Sequence, residues 1–550
     1  MAAMAKMPAC EVSHSLCFAA VGRSLRVTSP VSGAILCDCS LQPALRVYED
    51  ETAGTARRGK GALSWGAATG LIASLVGRGL TRRRAAHHDA KYHSLREQYA
   101  QRGVPTRGDD YWDWMETLFF KRARMSAGIN FDKYDDVEVE TLGGKGDEEP
   151  VASFEELCQK FELPEPLVAN IERCKYSKPT PVQKYSMPAV LSGSDVMVSA
   201  QTGSGKTAAF MTPIIATVLN AGEPPLDAGA ARPKGLVLAP TRELCQQLAT
   251  EAKRLCYRTF IRIASVYGGA PQPPQLEDLA EGGHLLIATP GRLDDFLKRG
   301  VVTMEDVQFL AVDEADRMLD MGFEPQIRSI IDEHGMPAPG IDGEGRRTMM
   351  FSATFPQEMQ DMALDFLHPS YLWIGVGRVG EMVSSVVQRF EDVGFGDKQQ
   401  TLSKVLQPDE KTIIFANMKR TVDDISRHLQ STGIRAAPIH GGIEQQQRDG
   451  AISALKSGRI SVLVATDVAA RGLDIPGVDH VVNFDLPQNG EDYTHRIGRT
   501  GRIGNKGIAT SLVGSTEPGL KSIMKSLKKA QEADDTVEIP DWLIGVAYGA

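Results

Sequence analysis

Short apolar runs that alternate with polar loops and helical segments are the feature that most constrains the fold of this 550-residue chain. From about residue 150 onward, each apolar run ends in a polar or glycine-rich turn and is followed by a helical pattern. The first series is VMVSA (196–200), GLVLAP (235–240), LLIATP (285–290) and FLAVDEAD (309–316). Strands that alternate with helices predict an α/β domain, in which a parallel sheet is covered by helices and carries its chemistry at the carboxyl ends of the strands.

A second series of the same kind predicts a second α/β domain. It consists of TIIFA (412–416), SVLVATD (461–467) and HVVNFDLP (480–487). Between the two series lies GRVGEMVSS (377–385), which we interpret as a polar interdomain linker. The predicted organisation is a leader-like segment over residues 1–100, an N-terminal extension over 101–150, a first domain over 151–376 and a second domain over 386–550.

Composition excludes several kinds of protein. With 42% hydrophobic and 24% charged residues, most of the chain is expected to be globular. A net charge of −9 argues against nucleic-acid binding through one broad basic surface, so any such site has to be local. The eight cysteines form no CxxC pair, which predicts neither a disulfide framework nor a zinc site.

The first hundred residues differ in composition from the rest. Ala, Ser, Gly and Arg are frequent, and residues 12–37 and 52–88 contain no Asp or Glu, as is typical of an organellar leader. A leader directing the chain to a plastid or mitochondrion and a disordered tail on a cytoplasmic or nuclear protein both fit this pattern. The uncharged run at 61–77 is shorter than the ~20 residues of a membrane-spanning helix, so no stable membrane anchor is expected.

The segment AQTGSGKT (200–207) directly follows the strand VMVSA and opens an apolar helical segment. In phosphate-binding loops, backbone N–H groups at a helix N-terminus surround the phosphates, a Lys adds a charge, and a Ser or Thr holds Mg²⁺. These roles would fall to Gly203, Ser204, Gly205, Lys206 and Thr207. The first glycine of the general pattern is Ala200 here, but the strand before the loop and the helix after it favour a nucleotide site.

Acidic residues at the tip of the strand FLAV predict the catalytic partner of this loop. Asp313 is expected to hold Mg²⁺ through water, and Glu314 to orient and deprotonate the attacking water. The alternative is an acidic helix N-terminus that is stabilised by the helix dipole. The phosphate-binding loop about a hundred residues upstream favours the catalytic interpretation.

Taken together, the motifs resemble those of the DEAD-box RNA helicases in order and spacing. They are AQTGSGKT (200–207), PTREL (240–244), TPGR (289–292), DEAD (313–316), SAT (352–354), ARGLD (470–474) and HRIGRTGR (495–502). Within that family, the segments 128–143, 313–328 and 539–549 resemble the Vasa-like subgroup. Segment 128–143 would either add contacts on the nucleotide or RNA side or be a pendant acidic segment. The resemblance covers roughly residues 125–550 and implies two tandem RecA-like domains that close on ATP and RNA.

An adenine site is implied by YSKPTPVQ (176–183), because a Gln amide matches the N6/N7 edge of adenine and an aromatic ring can stack on the base. The segment resembles the family's Q motif, which implies a preference for ATP over GTP. The resemblance assigns the adenine site to Tyr176, Thr180 and Gln183. Lys175 stands where the family usually has glycine, and an outer aromatic contact could come from Phe154 or Phe161.

The resemblance also implies RNA contacts in loops that lead out of strands. In the first domain they are Pro240, Thr241, Arg242, Gly268, Gly269, Thr289, Pro290, Gly291 and Arg292. In the second domain they are Gln445, Arg448, Thr466, Arg471 and Gly472. Backbone N–H groups and hydroxyls in such loops bind phosphate oxygens without reading bases, so binding of a single strand or short duplex should tolerate sequence.

Residues of both domains are implied to couple ATP to RNA. Arg499 and Arg502 would reach the γ-phosphate and Asp474 the ATP ribose. Ser352, Thr354 and His495 would connect the two sites. The expected activity of this monomer is RNA-stimulated ATP hydrolysis with local, non-processive unwinding or remodelling of RNA duplexes and RNPs. An ATP-gated RNA clamp or RNP-assembly scaffold would use the same motifs, and a DNA translocase is a third alternative.

Overall fold

The protein is described by a computed structural model of residues 88–121, 137–146, 148–201, 203–340, 345–355, 357–377, 386–407, 410–467, 475, 477–501, 507–533 and 538–548. Three segments discussed above lie outside these residues. They are residues 1–87 of the leader-like segment, residues 128–136 of the Vasa-like segment and residues 378–385 of the linker. Within the described part of the chain, none of the helices combines the length and the apolarity needed to cross a membrane.

The first domain is built on an eight-stranded sheet with the order β1-β8-β2-β7-β6-β3-β5-β4. The strands are β1 (Val139–Gly143), β2 (Val196–Ala200), β3 (Gly235–Leu238), β4 (Ile263–Val266), β5 (Leu285–Ala288), β6 (Phe309–Val312), β7 (Arg347–Ser352) and β8 (Leu372–Val376). All neighbours are parallel except β1, which pairs antiparallel with β8. This edge strand was not predicted from the sequence.

Helices cover both faces of this sheet and precede it. They are α1 (88–102), α2 (Asp109–Glu116, which continues as a π-helical turn over Thr117–Lys121), α3 (Phe154–Lys160), α4 (Glu165–Arg173), α5 (Pro181–Leu191), α6 (Lys206–Asn220), α7 (Arg242–Leu255), α8 (Gln272–Ala280), α9 (Pro290–Lys298), α10 (Ala315–Asp320), α11 (Glu324–Asp332) and α12 (Gln357–Phe366).

The second domain is built on a six-stranded sheet with the order β11-β12-β10-β13-β14-β9, in which all neighbours are parallel. The strands are β9 (Val386–Gly394), β10 (Thr412–Phe415), β11 (Ala436–Ile439), β12 (Val462–Ala465), β13 (His480–Asn483) and β14 (Gly507–Gly514). The helices are α13 (Lys398–Val405), α14 (Lys419–Ser431), α15 (Gln445–Lys456), α16 (Gly490–Ile497), α17 (Leu520–Ala533) and α18 (Asp541–Tyr548).

Two buried faces explain why the strands are uninterrupted apolar runs. Along β2, Val196 and Val198 pack into one core cluster of the first domain, whereas Met197 between them packs into the cluster on the other face. Side chains alternate between the two faces of a strand, so a sheet covered on both sides needs apolar residues at every position. The predicted fold class, two parallel-sheet α/β domains of the RecA-like kind, is confirmed.

Helix α1 corrects the extent of the leader-like segment. Residues 88–100 belong to the range in which a disordered or cleaved leader was predicted, but here they form a helix that packs on the first domain. Tyr92 is fully buried, and Arg96 donates from Nε to the carbonyl of Asp227 at 2.7 Å. Asp89 pairs with Arg299 at the end of α9. Any disordered or cleaved leader therefore has to end before α1, because these long-range contacts belong to the folded domain.

Candidate nucleotide and RNA site

The phosphate-binding loop joins β2, which ends at Ala200, to α6, which begins at Lys206. Gly205 caps that helix with a φ of 85°, in the left-handed region that glycine adopts without strain. A Cβ atom at Gly205 would also lie 2.6 Å from Nε2 of Gln183. Both the backbone conformation and the lack of space therefore require glycine at this position. Lys206 is buried and donates from Nζ to the carbonyl of Ala200 at 2.9 Å, which holds its charge over the loop.

The other predicted phosphate ligands lie in the same turn. Gly203 also has a φ of 85°, Ser204 is buried, and Thr207 is the second residue of α6. The backbone N–H groups at this end of the helix have no carbonyl partners within the helix, which makes the turn suitable for an anion.

The Q motif lies directly against this loop. Thr180 Oγ1 donates to the carbonyl of Ser204 at 2.7 Å, and Gln183 Nε2 donates to the carbonyl of Gly205 at 3.0 Å. Gln183 Oε1 accepts from the backbone N–H of Thr180 at 3.0 Å, so the two residues also cap helix α5 reciprocally. Thr180 and Gln183 therefore hold the phosphate-binding loop in place, a role that the sequence did not suggest.

The aromatic residue of the Q motif packs on a second aromatic ring. The rings of Tyr176 and Phe154 lie 5.6 Å apart at an angle of 30°. Phe154 belongs to a core cluster of the first domain, and Tyr176 and Phe161 both pack against that cluster. Of the two candidates for the outer aromatic contact, the structure thus brings Phe154 next to Tyr176. Lys175 has a φ of 57°, the left-handed conformation that favours glycine, which explains the family's usual residue there.

The acidic motif begins where β6 ends, at Val312. Asp313 is buried and accepts from the backbone N–H of Glu314 at 3.0 Å. Burial raises the pKa of Asp313 to about 7, although the charge of Lys206 opposes this shift. Glu314 has a φ of 51° and forms an ion pair with Arg317. Burial raises the pKa of Glu314, but the charges of Arg317, Arg499 and Lys206 lower it by more, so its carboxylate stays ionised.

The last residue of this motif, Asp316, was not among the predicted site residues. Its Oδ2 accepts from the backbone N–H groups of Ala353 and Thr354 at 3.1 and 3.0 Å and from Thr354 Oγ1 at 3.0 Å. The same oxygen lies 3.8 Å from Nε2 of His495 in the second domain. Burial lowers the pKa of His495 to about 4, so the imidazole is neutral at pH 7. Asp316 thus holds the SAT segment by hydrogen bonds and lies beside His495 of the second domain.

Two arginines of HRIGRTGR differ in what they contact. Arg496 is buried and pairs through Nε and Nη2 with Asp467, each at 2.5 Å, which fixes helix α16 to the segment that follows β12. Arg499 donates from Nε to the carbonyl of His495 at 3.1 Å, and its charge acts on Glu314 across the cleft. Arg496 is therefore a structural residue, and Arg499 faces the carboxylates of the first domain.

The loops predicted to hold RNA converge because β3, β5 and β4 are neighbours in the sheet. Pro240 and Thr241 follow β3, and Thr241 Oγ1 caps helix α7 by accepting from Leu244 N at 3.3 Å. After β4, Gly268 donates its N–H to Thr289 Oγ1 at 3.3 Å. The remaining first-domain residues also lie on these loops: Gly269 has a φ of 72°, Pro290 and Gly291 open helix α9, and Arg292 donates to the carbonyl of Ala270 at 3.4 Å.

On the RNA side, side chains of the two domains contact each other. Gln445 Nε2 donates to Glu243 Oε1 at 2.9 Å, and Arg448 Nη1 lies 3.5 Å from the same oxygen. Arg242 Nη2 lies 3.3 Å from Asp449 Oδ2. The partners Glu243 and Asp449 were not predicted, although each is adjacent to a predicted residue.

The other predicted residues divide into two groups. Ser352 is buried at the end of β7, and Thr466 is buried directly after β12. Arg471, Gly472, Asp474 and Arg502 lie outside the described residues.

Both domains of this chain are similar to known protein families and solved structures. The DEAD/DEAH box helicase family matches residues 180–362, and the helicase conserved C-terminal domain matches residues 397–504. The RNA helicase Prp28 from Chaetomium thermophilum, bound to ADP, is 31% identical over 80% of this chain and 98% of its own, with a TM-score of 0.39. Dbp5 from S. cerevisiae, bound to RNA and ADP BeF3, is 26% identical over 71% of this chain and 99% of its own, with a TM-score of 0.57.

A DEAD box protein from Methanococcus jannaschii is 31% identical over 70% of this chain and 98% of its own, with a TM-score of 0.40.

Two RecA-like domains with a phosphate-binding loop at the end of β2 and paired carboxylates at the end of β6 define a P-loop NTPase. The chain belongs to the DEAD-box family of RNA helicases. It is an ATP-hydrolysing, RNA-binding enzyme, and ATP-dependent remodelling of RNA is the activity of its class.

Proposed function

We propose that this helicase couples ATP hydrolysis to closure of its two domains on RNA, and that closure separates short duplexes locally and without processive movement. The observation that carries the proposal is the position of Asp316, which contacts Thr354 in its own domain and lies next to His495 of the other. Arg499 follows the helix that contains His495, and its charge lowers the pKa of Glu314. Hydrolysis would therefore depend on the second domain being in place.

The nucleotide half of the mechanism assigns one role to each group. Lys206 and the N–H groups of the loop bind the β- and γ-phosphates, and Tyr176, Thr180 and Gln183 select adenine. Glu314, kept ionised by Arg317, orients and deprotonates the attacking water. Arg499, together with Arg502, stabilises charge on the γ-phosphate as hydrolysis proceeds. Asp474 is proposed to contact the ribose.

The residues also fit Mg²⁺. The Thr207 hydroxyl and the Asp313 carboxylate are oxygen ligands of the kind that Mg²⁺ prefers, and a carboxylate whose pKa burial raises to about 7 is stabilised by a nearby cation. When bound, Mg²⁺ would neutralise phosphate charge. Asp313 would hold it through water.

The RNA half relies on loops of both domains. Arg242, Arg292 and the N–H groups around Gly268 and Gly291 would bind phosphates, with Gln445, Arg448, Thr466, Arg471 and Gly472 on the other side. Because ATP and RNA would each contact both domains, binding of one has to strengthen binding of the other. A monomer suffices for this cycle. The same geometry serves an ATP-gated clamp that unwinds little, and no contact between described residues favours the clamp over the helicase.

Steady-state ATPase assays and unwinding of short duplexes test the proposal. We expect single-stranded RNA to stimulate hydrolysis, single-stranded DNA of the same sequence to stimulate it much less, and short RNA duplexes to be separated. If saturating RNA leaves the basal rate unchanged, coupling is excluded. Stimulation without strand separation would favour the clamp, and equal stimulation by DNA with processive unwinding would favour a DNA translocase.

We further propose an organellar location and membership of the Vasa-like subgroup. Support for the location comes from the composition of residues 1–87, and support for the subgroup from the segments named above. Because Tyr92 and Arg96 are buried, a processing protease should cut before residue 88. Sequencing the mature N-terminus from cells tests the location: a start at Met1 contradicts a cleaved leader, and a start beyond residue 96 contradicts the role of α1 in the fold.

A further inference from the structure

A cavity of about 650 Å³ lies between the N-terminal extension and the first domain, away from the nucleotide and RNA sites. One wall is formed by the segment 103–108, which joins α1 to α2, and by Trp112 in α2. The opposite wall contains Phe260, Arg262 and His284, which precede β4 and β5. The loops predicted to hold RNA follow the other ends of these strands, and a four-residue strand spans about 13 Å at ~3.3 Å per residue.

Two arginines and two glutamates line this cavity, namely Arg107, Arg262, Glu223 and Glu281. Arg107 Nη2 and Arg262 Nη1 lie 3.6 and 3.5 Å from the same oxygen, Oε2 of Glu281. Two guanidinium groups thus share one carboxylate at long distances, although each guanidinium has five N–H donors. Burial and the charge of Arg107 lower the pKa of Arg262, and the charges of Glu281 and Glu223 offset only part of this shift.

The rest of the lining is largely apolar and aromatic. Trp112 and Phe260 stand on opposite walls, and Pro224, Pro225 and Leu226 contribute from the loop after α6. Trp112 is held in position by its edge-to-face contact with Tyr257, with ring centres 5.5 Å apart. A volume of this size, lined by apolar side chains together with polar groups, is large enough for a small molecule.

Nucleic acid is a poor match for this cavity. Asp109, Asp110 and Asp113 lie on the same helix as Trp112, and Glu223 is part of the lining. A polyanion would bring many phosphates close to these carboxylates, whereas a ligand with one anionic group would bring only that group near them. Guanidinium groups bind carboxylates and phosphates in a bidentate manner.

We propose that this cavity binds a small organic anion, in which an aromatic or aliphatic body packs between Trp112 and Phe260 and a single carboxylate or phosphate monoester pairs with Arg107 and Arg262. This site is separate from the ATP and RNA sites and does not depend on the proposed coupling. Residues 88–121 would then supply one wall of a ligand site in addition to covering the first domain.

Ligand-observed NMR titrations of the full chain, saturated with ADP and Mg²⁺, test the proposal. The probes are 3-phenylpropionate and phenyl phosphate, with neutral 3-phenylpropionamide and ring-free acetate as matched controls. For ligands of this size we expect a Kd on the order of 1 mM. The amide lacks the anionic group and acetate lacks the ring. Each should therefore bind at least about tenfold more weakly than 3-phenylpropionate. The tighter of the two anions identifies a carboxylate or a phosphate monoester as the natural head group.

Variants locate the binding to this cavity. Arg262→Gln and Arg107→Gln should each weaken binding of the anionic probes at least about tenfold, since a charge-assisted contact is lost. Trp112→Leu tests the apolar wall if an arginine variant fails to fold. The matched control is Arg328→Gln, because Arg328 lies on α11, is partly exposed and is outside the lining. Thermal unfolding and RNA-stimulated ATPase check that each variant is folded.

The proposal is overturned if no probe binds at millimolar concentration or if the amide binds as tightly as the acid. It is also overturned if the folded arginine variants bind like the unchanged chain, or if oligouridylate displaces the probes, which would make this a nucleic-acid surface.

Discussion

The nucleotide side and the RNA side of this helicase are held together by different kinds of contact. On the nucleotide side, buried groups of one domain are joined by short hydrogen bonds, such as Thr180 to Ser204 at 2.7 Å and Lys206 to Ala200 at 2.9 Å. On the RNA side, partly exposed charged groups of two domains meet at 3.3 to 3.5 Å, as in Arg242 with Asp449 and Arg448 with Glu243.

This difference indicates how ATP and RNA would bind. Buried hydrogen bonds hold the phosphate-binding loop in shape before ATP arrives, so little has to be rearranged on binding. Partly exposed ion pairs contribute about 0–1 kcal/mol each, so RNA phosphates can replace them at small cost. We therefore expect substitutions on the nucleotide side to act on catalysis and those on the RNA side to act mainly on affinity.

The largest effect is expected for Arg499→Ala. Loss of the proposed arginine finger should slow RNA-stimulated hydrolysis by about 10³-fold or more, while ATP still binds to the loop of the first domain. Steady-state ATPase and equilibrium binding of a fluorescent ATP analogue measure the two quantities. Arg459→Ala, an exposed arginine of the same domain, is the matched control. Unchanged hydrolysis in Arg499→Ala would remove the second domain from the chemistry.

Glu314→Gln should slow turnover by about 10²–10⁴-fold, because the amide cannot accept the proton of the attacking water. ATP and RNA should still bind, and the complex with both should persist longer because hydrolysis no longer resets it. Single-turnover hydrolysis and RNA dissociation kinetics check these outcomes, with exposed Glu333→Gln as the control. Hydrolysis at the normal rate would exclude Glu314 as the base.

On the RNA side, Arg242→Ala should weaken binding of single-stranded RNA about 10–100-fold, the range for loss of one charge-assisted hydrogen bond. The loss should be the same for different sequences, and the dependence of log affinity on log salt should fall by about 0.7. Fluorescence anisotropy at several salt concentrations measures both. Lys253→Ala, exposed on the same helix, should change neither. An effect confined to one RNA sequence would contradict contact with phosphate.

The smallest effect is expected for Lys175→Gly. At a φ of 57°, glycine relieves a strain of about 1–2 kcal/mol, part of which is offset by the greater entropy of the unfolded chain. The midpoint of thermal unfolding of the first domain should rise slightly and ATPase should be unchanged. Lys178→Gly, an exposed lysine of the same loop without a left-handed backbone, should lower that midpoint instead. If both variants lower it, strain at Lys175 is not relieved by glycine.

Local patterns predicted much of this molecule. The run VMVSA coincides with β2, TIIF with β10 and HVVN with β13, because a strand buried on both faces has to be apolar throughout. The antiparallel strand β1 was missed because it is partly exposed and has no such run. Helix α1 was missed because its burial depends on partners such as Asp227 and Arg299, which lie more than a hundred residues away.

The sequence by itself determined the two α/β domains and the phosphate-binding loop with its carboxylates, because these depend on hydrophobic periodicity and on short spacings within one segment. Only the tertiary structure decided that Thr180 and Gln183 support the loop, and that Asp316 binds Thr354 and lies beside His495. The same holds for the pairing of Arg242 with Asp449, and for Arg107 and Arg262 sharing Glu281. These contacts join residues from separate segments, and their distances are set by how the sheets and helices pack.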